Sequence, residues 1–285
     1  MIKIDSHQHF WRYNPTRDAW ITDDMSILKR DFLPEELALE CKANSIVASI
    51  AVQADQSEKE TLFLLELVQD NPWIAGVVGW VDLSSANIEE RLQFFSRYEK
   101  LRGFRHIAQA EPDDRFLMQL DFVRGISRLR QFGFAYDILI YPKQLPAAIE
   151  LVSKFPEQRF VVDHLAKPEI KSQDLTFWET HIRRIAESPN VFCKLSGLVT
   201  EADWRNWKAA DFKPYLDVVF DAFGADRLMF GSDWPVCLLA ASYAQVKKLV
   251  EDYLRGCTAL QKENIFGGNA IRFYNLKEFT NGLAA

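Results

Sequence analysis

The chain has 285 residues, of which 48% are apolar and 26% charged, a balance typical of water-soluble globular proteins. A formal net charge of -6 gives no electrostatic footing for nucleic acid or an anionic membrane, although a local basic pocket for an anionic substrate is compatible with it. The length suits one large α/β domain or two ordinary ones.

Taken in chain order, short β-branched or aromatic runs alternate with longer amphipathic ones. Strands are predicted at Lys3–His9, Ile46–Gln53, Ile74–Val81, Leu101–Ile107, Phe134–Ile140, Arg159–Ala166, Val191–Leu198 and Leu228–Ser232. Pro34-Glu35-Glu36 reads as a helical first turn, with proline where its missing donor costs nothing and acids where the dipole favours them. Further helices are expected at Ser57–Asn71, Ile88–Tyr98, Met118–Gln131, Gln144–Phe155, Leu175–Ala186, Phe212–Ala222 and Ser242–Leu254. Eight strand–helix repeats, no nucleotide-type glycine loop after the first strand, and polar residues at several strand ends favour a closed (β/α)₈ barrel over a doubly wound sheet. No composition break marks a domain boundary, so one barrel domain over residues 1–285 is expected. An aromatic-containing loop at about 10–32 carries Trp11, Tyr13 and Trp20, and terminal helices at about 259–276 lie beneath or beside the barrel.

Cys41, Cys193, Cys237 and Cys257 are scattered, without the close spacing of a zinc or redox motif. Neither a signal peptide nor a run of membrane-spanning length is evident, and the expected location is cytoplasmic.

The strand ends carry the chemistry. In His7-Gln8-His9 the imidazoles lie two apart, so on a strand they leave one face together, a spacing suited to two ligands of a borderline transition metal or to two hydrogen-bonded loop organisers. Asp5, one step deeper, either orients an imidazole or satisfies backbone donors. His164 ends an apolar strand, where a metal-binding or charged group leaves the core intact. Its neighbour Asp163 takes the alternate orientation and braces the loop or pairs with a basic residue. Asp233, in Gly231-Ser232-Asp233-Trp234-Pro235, can bind a metal and accept a proton from water, or cap a helix. Arg102, Arg105 and His106 end the fourth strand, and an arginine fork suits a carboxylate or sugar oxygens, with barrel salt bridges as the alternative. Asp137 and Tyr141 flank the end of the fifth, where Asp137 can orient a histidine or arginine. Lys194, inside an apolar strand, needs a partner or a route to solvent, so substrate contact and a structural ion pair are both open. Trp80, Tyr141, Trp204 and Trp207 offer an apolar rim for a sugar ring, or ordinary packing.

Five blocks carry a resemblance to a known family: His7-Gln8-His9-Phe10-Trp11, Gly103-Phe104-Arg105-His106, Val162-Asp163-His164-Leu165-Ala166-Lys167-Pro168, Cys193-Lys194-Leu195-Ser196-Gly197-Leu198 and Phe230-Gly231-Ser232-Asp233-Trp234-Pro235. Together they resemble the amidohydrolase superfamily, in its sugar-lactonase-like branch of L-fuconolactonases and L-rhamnonolactonases. The resemblance implies a distorted TIM barrel with catalysis at the carboxyl ends of its strands. It matches His7, His9, His164 and Asp233 to one divalent transition-metal site, zinc by ligand type. Asp137 in place of a ligand histidine, and no bridging lysine on strand four, argue against a two-metal centre, and metal-independent relatives leave catalysis without metal as the alternative. The implied reaction is hydrolysis of a small sugar lactone. Asp233 activates water, the metal or His164 and Arg105 stabilise the oxyanion, and Arg105, His106 and Lys194 clamp the substrate beside Trp80 and Tyr141. A metal-dependent decarboxylase and a non-catalytic carbohydrate-binding barrel are the competing expectations. Neither nucleic acid nor membrane is an expected partner, and the stereochemistry of the lactone and the oligomeric state have no signal in the sequence.

Overall fold

The computed structural model describes residues 1–282. Eight strands run as β1 (Ile4–Gln8), β2 (Ala48–Val52), β3 (Ile74–Gly79), β4 (Leu101–His106), β5 (Ala135–Ile138), β6 (Phe160–Val162), β7 (Val191–Leu195) and β8 (Leu228–Phe230). Each pairs in parallel with the next in sequence order. Around them lie α1 (Pro34–Ala43), α2 (Glu58–Asp70), α3 (Ile88–Phe95), α4 (Leu120–Leu129), α5 (Leu145–Lys154), α6 (Thr176–Ala186), α7 (Ala209–Phe223) and α8 (Tyr243–Tyr253). This is the expected distorted TIM barrel, and β3, β6 and β8 read as near-continuous apolar runs because helices cover one face and the barrel interior the other.

Local sequence sets the element ends. Pro34 opens α1 ahead of Glu35 and Glu36, while Ser57 and Ser242 cap α2 and α8 by accepting from the amides of Glu60 and Gln245. Helix α7 starts at Ala209, three residues ahead of the expected Phe212, so Pro214 falls inside the helix beyond its first turn. Strands β6 and β7 are shorter than expected because the chain turns left-handed at His164 and at Gly197.

Closure between β8 and β1 uses chain beyond the last strand. The Asp233 amide donates to the His7 carbonyl at 2.9 Å and the His9 amide to the Trp234 carbonyl at 2.7 Å, while the Ser6 hydroxyl donates to the Phe230 carbonyl at 2.6 Å. Gly231 permits the approach, since a Cβ there would lie 2.6 Å from the His7 Cβ. Along β1 the steps from Asp5 to Gln8 match fewer on β2, from Ser49 to Ala51. Such a bulge reverses the in–out alternation. Ile4 therefore packs in the lower interior, Asp5 turns out towards Tyr243 of α8, and His7 and His9 point inward again.

Two short helices, α9 (Ala259–Glu263) and α10 (Asn269–Phe273), follow with a π turn between them. They lie beneath the barrel. Ala270, Ile271, Phe273, Tyr274 and Leu276 pack against Ile4, Ala48, Ala75, Ala135, Val161 and Met229 at the strand entrances. Asn269 donates to the Ala225 carbonyl at 2.7 Å and also to that of Leu228, which fixes the plug under β8.

Candidate active site

His7, His9, His164 and Asp233 converge at the carboxyl end of the barrel, from β1, the turn after β6 and the segment after β8. His7 Nε2 and His9 Nε2 are 3.1 Å apart. Asp233 Oδ1 stands 3.4 Å from His9 Nε2 and 3.9 Å from the Nε2 atoms of His7 and His164. Donor atoms of His7, His164 and Asp233 all lie within 4.8 Å of one another. Ligands bound to zinc at 2.0–2.1 Å in a tetrahedron stand about 3.3 Å from each other, so this donor set fits one such ion.

Each imidazole is oriented from behind. His9 Nδ1 meets the Val52 carbonyl at 2.8 Å, His164 Nδ1 the Ser196 hydroxyl at 2.9 Å, and His7 Nδ1 lies 3.1 Å from Lys194 Nζ and 3.4 Å from Asp163 Oδ1. Nε2 of each ring faces the centre. The Val52 carbonyl and the Asp163 carboxylate accept from Nδ1 and so favour the tautomer that suits metal binding through Nε2, whereas Lys194 can only donate to His7 Nδ1. His164 reaches its place by an unusual route. Its φ is 53°, and Leu165, Ala166 and Lys167 follow at 55°, 58° and 49°. Left-handed backbone costs a non-glycine residue roughly 1–2 kcal/mol, and strain of this kind concentrates at functional sites. Gly197, itself at φ 64°, leaves the space: a Cβ there would come within 2.5 Å of His164 Nδ1.

Beneath the imidazoles lies a buried ionic lattice. Lys194 Nζ contacts Asp137 Oδ2 at 2.5 Å and Asp163 Oδ1 at 2.9 Å, and the Tyr274 hydroxyl rises from the plug to donate to Asp137 Oδ2 at 2.7 Å. Arg105 Nη1 donates to Asp163 Oδ2 at 3.1 Å and approaches His7 Nε2 at 3.3 Å, while Nη2 bonds to the carbonyl and side-chain oxygens of Gln53.

Two expected clamps are thereby corrected. Lys194 is wholly enclosed, with its ammonium engaged by two carboxylates and an imidazole, so it supports the site from below instead of reaching substrate. His106 alternates with Arg105 and leaves the barrel on the opposite face. There it is 2.7 Å from Glu111 Oε1, accepts from Trp80 Nε1 at 3.2 Å and stacks on Phe116. Trp80 is half-buried in that outer cluster, whereas Tyr141 is 38% exposed and lies under Lys167 Nζ. Trp204 and Trp207 donate to the carbonyls of Thr200 and Ala240. Asp5, on the face opposite His7 across the bulge, accepts from the amides of His7 and Ser232 and from the Tyr243 hydroxyl. Asp163 pairs with two basic neighbours, one of its two expected roles.

Burial depresses the basicity of His7 well below the ordinary value, with Lys194 adding to it against the pull of Asp163. Burial does the same to His164, against Asp233. Both rings are neutral at physiological pH, the form that ligates metals. Burial alone would raise Asp233, but His164, His9 and Lys167 together outweigh it and hold its carboxyl below the usual range. An ionised carboxylate therefore stands beside the neutral His7 and His164 rings, an arrangement able to take a proton from water.

Sequence reasoning passed over Gln53 and Ser196, which touch the site from strand ends, and Lys167 and Glu201 at its rim, paired at 3.4 Å. Gln53 ends an apolar run on a polar residue, the signal that marked His164.

The chain matches the amidohydrolase family over residues 4–276. It is 46% identical to an L-fucono-1,5-lactonase of Burkholderia multivorans, with 97% of each chain covered. Identity to an L-fucono-1,5-lactonase of Burkholderia ambifaria is 33%, with 96% of each covered. A crystal structure of a Burkholderia multivorans amidohydrolase with bound zinc superposes with a TM-score of 0.93 at 45% identity, covering 96% of this chain and 99% of that one. Barrel, strand-end histidines and aspartate, and full-length similarity agree: the chain belongs to the amidohydrolase family.

Proposed function

We propose that the chain is a lactonase that opens a sugar-acid lactone to the free aldonic acid, with a 1,5-lactone of the L-fucono type as the first candidate substrate. The observation that carries this reading is the Asp233 carboxylate held 3.4 to 3.9 Å from three imidazoles at the barrel mouth. The two Burkholderia relatives, named for this chemistry along their full length, support it.

His7, His9, His164 and Asp233 would hold one zinc ion. Zinc supplies Lewis-acid polarisation of the lactone carbonyl and makes bound water more acidic. Asp233, ionised at working pH, orients the attacking water and takes one proton as its oxygen bonds to the carbonyl carbon. Arg105 places a fixed positive charge beside His7, which favours negative charge developing on the carbonyl oxygen. As the bond from the carbonyl carbon to the ring oxygen breaks, Asp233 returns the proton to that oxygen. The products are a carboxylic acid and a hydroxyl on the same chain, and Asp233 regains its starting charge. Cytoplasmic operation without nucleic acid or membrane belongs to the same proposal. No described helix is long and apolar enough to cross a membrane.

The test is proton release from stereochemically defined aldonolactones, with L-fucono-1,5-lactone first, by purified enzyme before and after chelation. Turnover of a sugar lactone is expected. Carbon dioxide release from aromatic carboxylic acids without lactone opening would support a decarboxylase, and binding without turnover a passive carbohydrate site.

A further inference from the structure

Outside the metal-ligand cluster, a cleft of about 520 Å³ opens beside the mouth, lined in part by Tyr141, Lys167, Glu169, Phe177, Trp178 and Glu201. That is ample for a small ring molecule, since ligand pockets run to about 300–1,000 Å³. Two of its polar groups are built on the segments that hold His164. Lys167 ends the left-handed run beginning at His164, and its amide donates to the His164 carbonyl at 2.7 Å. Glu201 closes the short helical turn Val199–Glu201, just after Gly197, the residue that makes room for the His164 ring. Neither backbone segment can shift far without disturbing His164.

The pair is poised but loose. Lys167 Nζ lies 3.4 Å from Glu201 Oε1, longer than a close charge-assisted bond of about 2.7–2.9 Å. Side-chain exposures of 18% and 21% leave both open to the cleft. Tyr141 completes the wall, with Lys167 Nζ 5.6 Å from its ring centroid. Burial raises the Glu201 pKa, and the charge of Asp233 contributes in the same direction, which places the carboxylate within electrostatic reach of the proposed base. The other two cations near the centre, Arg105 and Lys194, are buried and engaged.

We propose that Lys167, Glu201 and Tyr141 form the subsite that recognises the hydroxyl-bearing part of the lactone ring. Glu201 accepts hydrogen bonds from ring hydroxyls, Lys167 donates to a hydroxyl oxygen, and the Tyr141 ring covers the C–H face. This rests on the lactonase reading and assigns the specificity residues of the same site. Polar recognition of this kind discriminates strongly, because an analogue lacking the hydroxyl leaves a buried polar group unpaired.

The experiment compares wild type with Glu201→Gln, Lys167→Met and Tyr141→Ala, each checked for its folded state by circular dichroism. Kinetics are measured on L-fucono-1,5-lactone and on a lactone lacking one ring hydroxyl, and binding of the aldonic acid by calorimetry. KM should rise roughly tenfold or more in the Glu201 and Lys167 variants while kcat changes little, and the wild-type preference for the fully hydroxylated lactone should collapse. Lys167→Arg should restore part of the preference, which a purely structural pair would not require. Unchanged KM and unchanged preference, or a uniform loss of kcat with preference intact, would overturn the subsite. If wild type opens no lactone, the lactonase reading fails first, and the calorimetric arm then decides separately: equal aldonic-acid binding by all variants, or none by wild type, defeats the subsite.

Discussion

Below His7, two buried carboxylates face two buried cations: Lys194 meets Asp137 at 2.5 Å and Asp163 at 2.9 Å, and Arg105 meets Asp163 at 3.1 Å. Above it, the Asp233 carboxylate faces imidazoles at 3.4 Å or more, and Lys167 and Glu201 stand apart at 3.4 Å. The lower region balances two carboxylates with two cations, so it holds shape, and Arg105 is its link to the centre through His7. The upper region leaves donor atoms aimed at a common space, with backbone strain beside them, so it has capacity for a ligand. Both layers lie at the carboxyl ends of the strands, since Arg105, Asp137 and Lys194 are next to last in β4, β5 and β7 and Asp163 follows β6.

The comparison is sharpest at Asp233. Asp233→Asn preserves size but removes the base, and kcat for lactone opening should fall on the order of 10²–10⁴-fold with a much smaller change in KM. Elemental analysis should accompany the rates, because the same carboxylate belongs to the proposed metal-ligand set. A folded variant with near-normal turnover would remove Asp233 from the base role. Denaturant midpoints should move little, in contrast to any lesion below.

Lys194→Met is that lesion. It strands Asp137 in the interior and leaves Asp163 with Arg105 as its remaining cation, and breaking a buried ion pair on one side costs about 3–5 kcal/mol. Urea unfolding would measure it, and adding Asp137→Asn to the same chain should recover part of the loss. A variant as stable as wild type would mean that the lower lattice is not an ionic support.

Gly197→Ala tests whether the strain above His7 serves the site. The new Cβ would come within 2.5 Å of His164 Nδ1 at φ 64°, so activity and metal retention should both drop. Gly133→Ala is the control, at φ 76° with nothing within 4 Å. It should lose only the roughly 1–2 kcal/mol of left-handed backbone and keep full activity. Equal effects of the two on rate would show that His164 does not depend on the gap.

Much of this division is legible in the sequence. Alternating apolar strands and amphipathic helices give all eight strands, and the polar residues that end them bring His7, His9, His164 and Asp233 together. What escapes is any feature that depends on a change in side-chain direction. The bulge at β1 puts Asp5 and His7 on opposite faces, and no residue between Asp5 and Gln8 announces it. Strict alternation at the end of β4 separates Arg105 from His106, although both had been expected to clamp substrate. The left-handed run from His164 to Lys167 contains no glycine, so nothing local marks it, and the signal lies across the barrel in Gly197. Lys194 was ambiguous for a related reason, since its partners Asp137 and Asp163 sit on other strands.

Glu60 carries the comparison to the rim. It lies in the first turn of α2, accepts from the Ala54 amide at 3.2 Å just past the end of β2, and is only 3% exposed. Asp163 below is held well under its usual value, because Lys194, His7 and Arg105 together outweigh its burial. Glu60 is raised from 4.5 to about 7 by burial, with only Arg17 as an opposing charge, and Arg17 is already bound to Asp18 at 2.7 Å. A folded-state pKa above the unfolded value means that the folded chain binds this proton more tightly. The associated stability is present below pH 4.5 and is lost as pH rises through about 7. Glutamine keeps an oxygen for the Ala54 amide and never ionises. Glu60→Gln should therefore match wild type in urea unfolding at pH 5 and exceed it at pH 8 by on the order of 1–3 kcal/mol. If the variant is instead weaker at pH 8, attraction to Arg17 outweighs burial, and Glu60 belongs with the ion-paired carboxylates of the lower lattice.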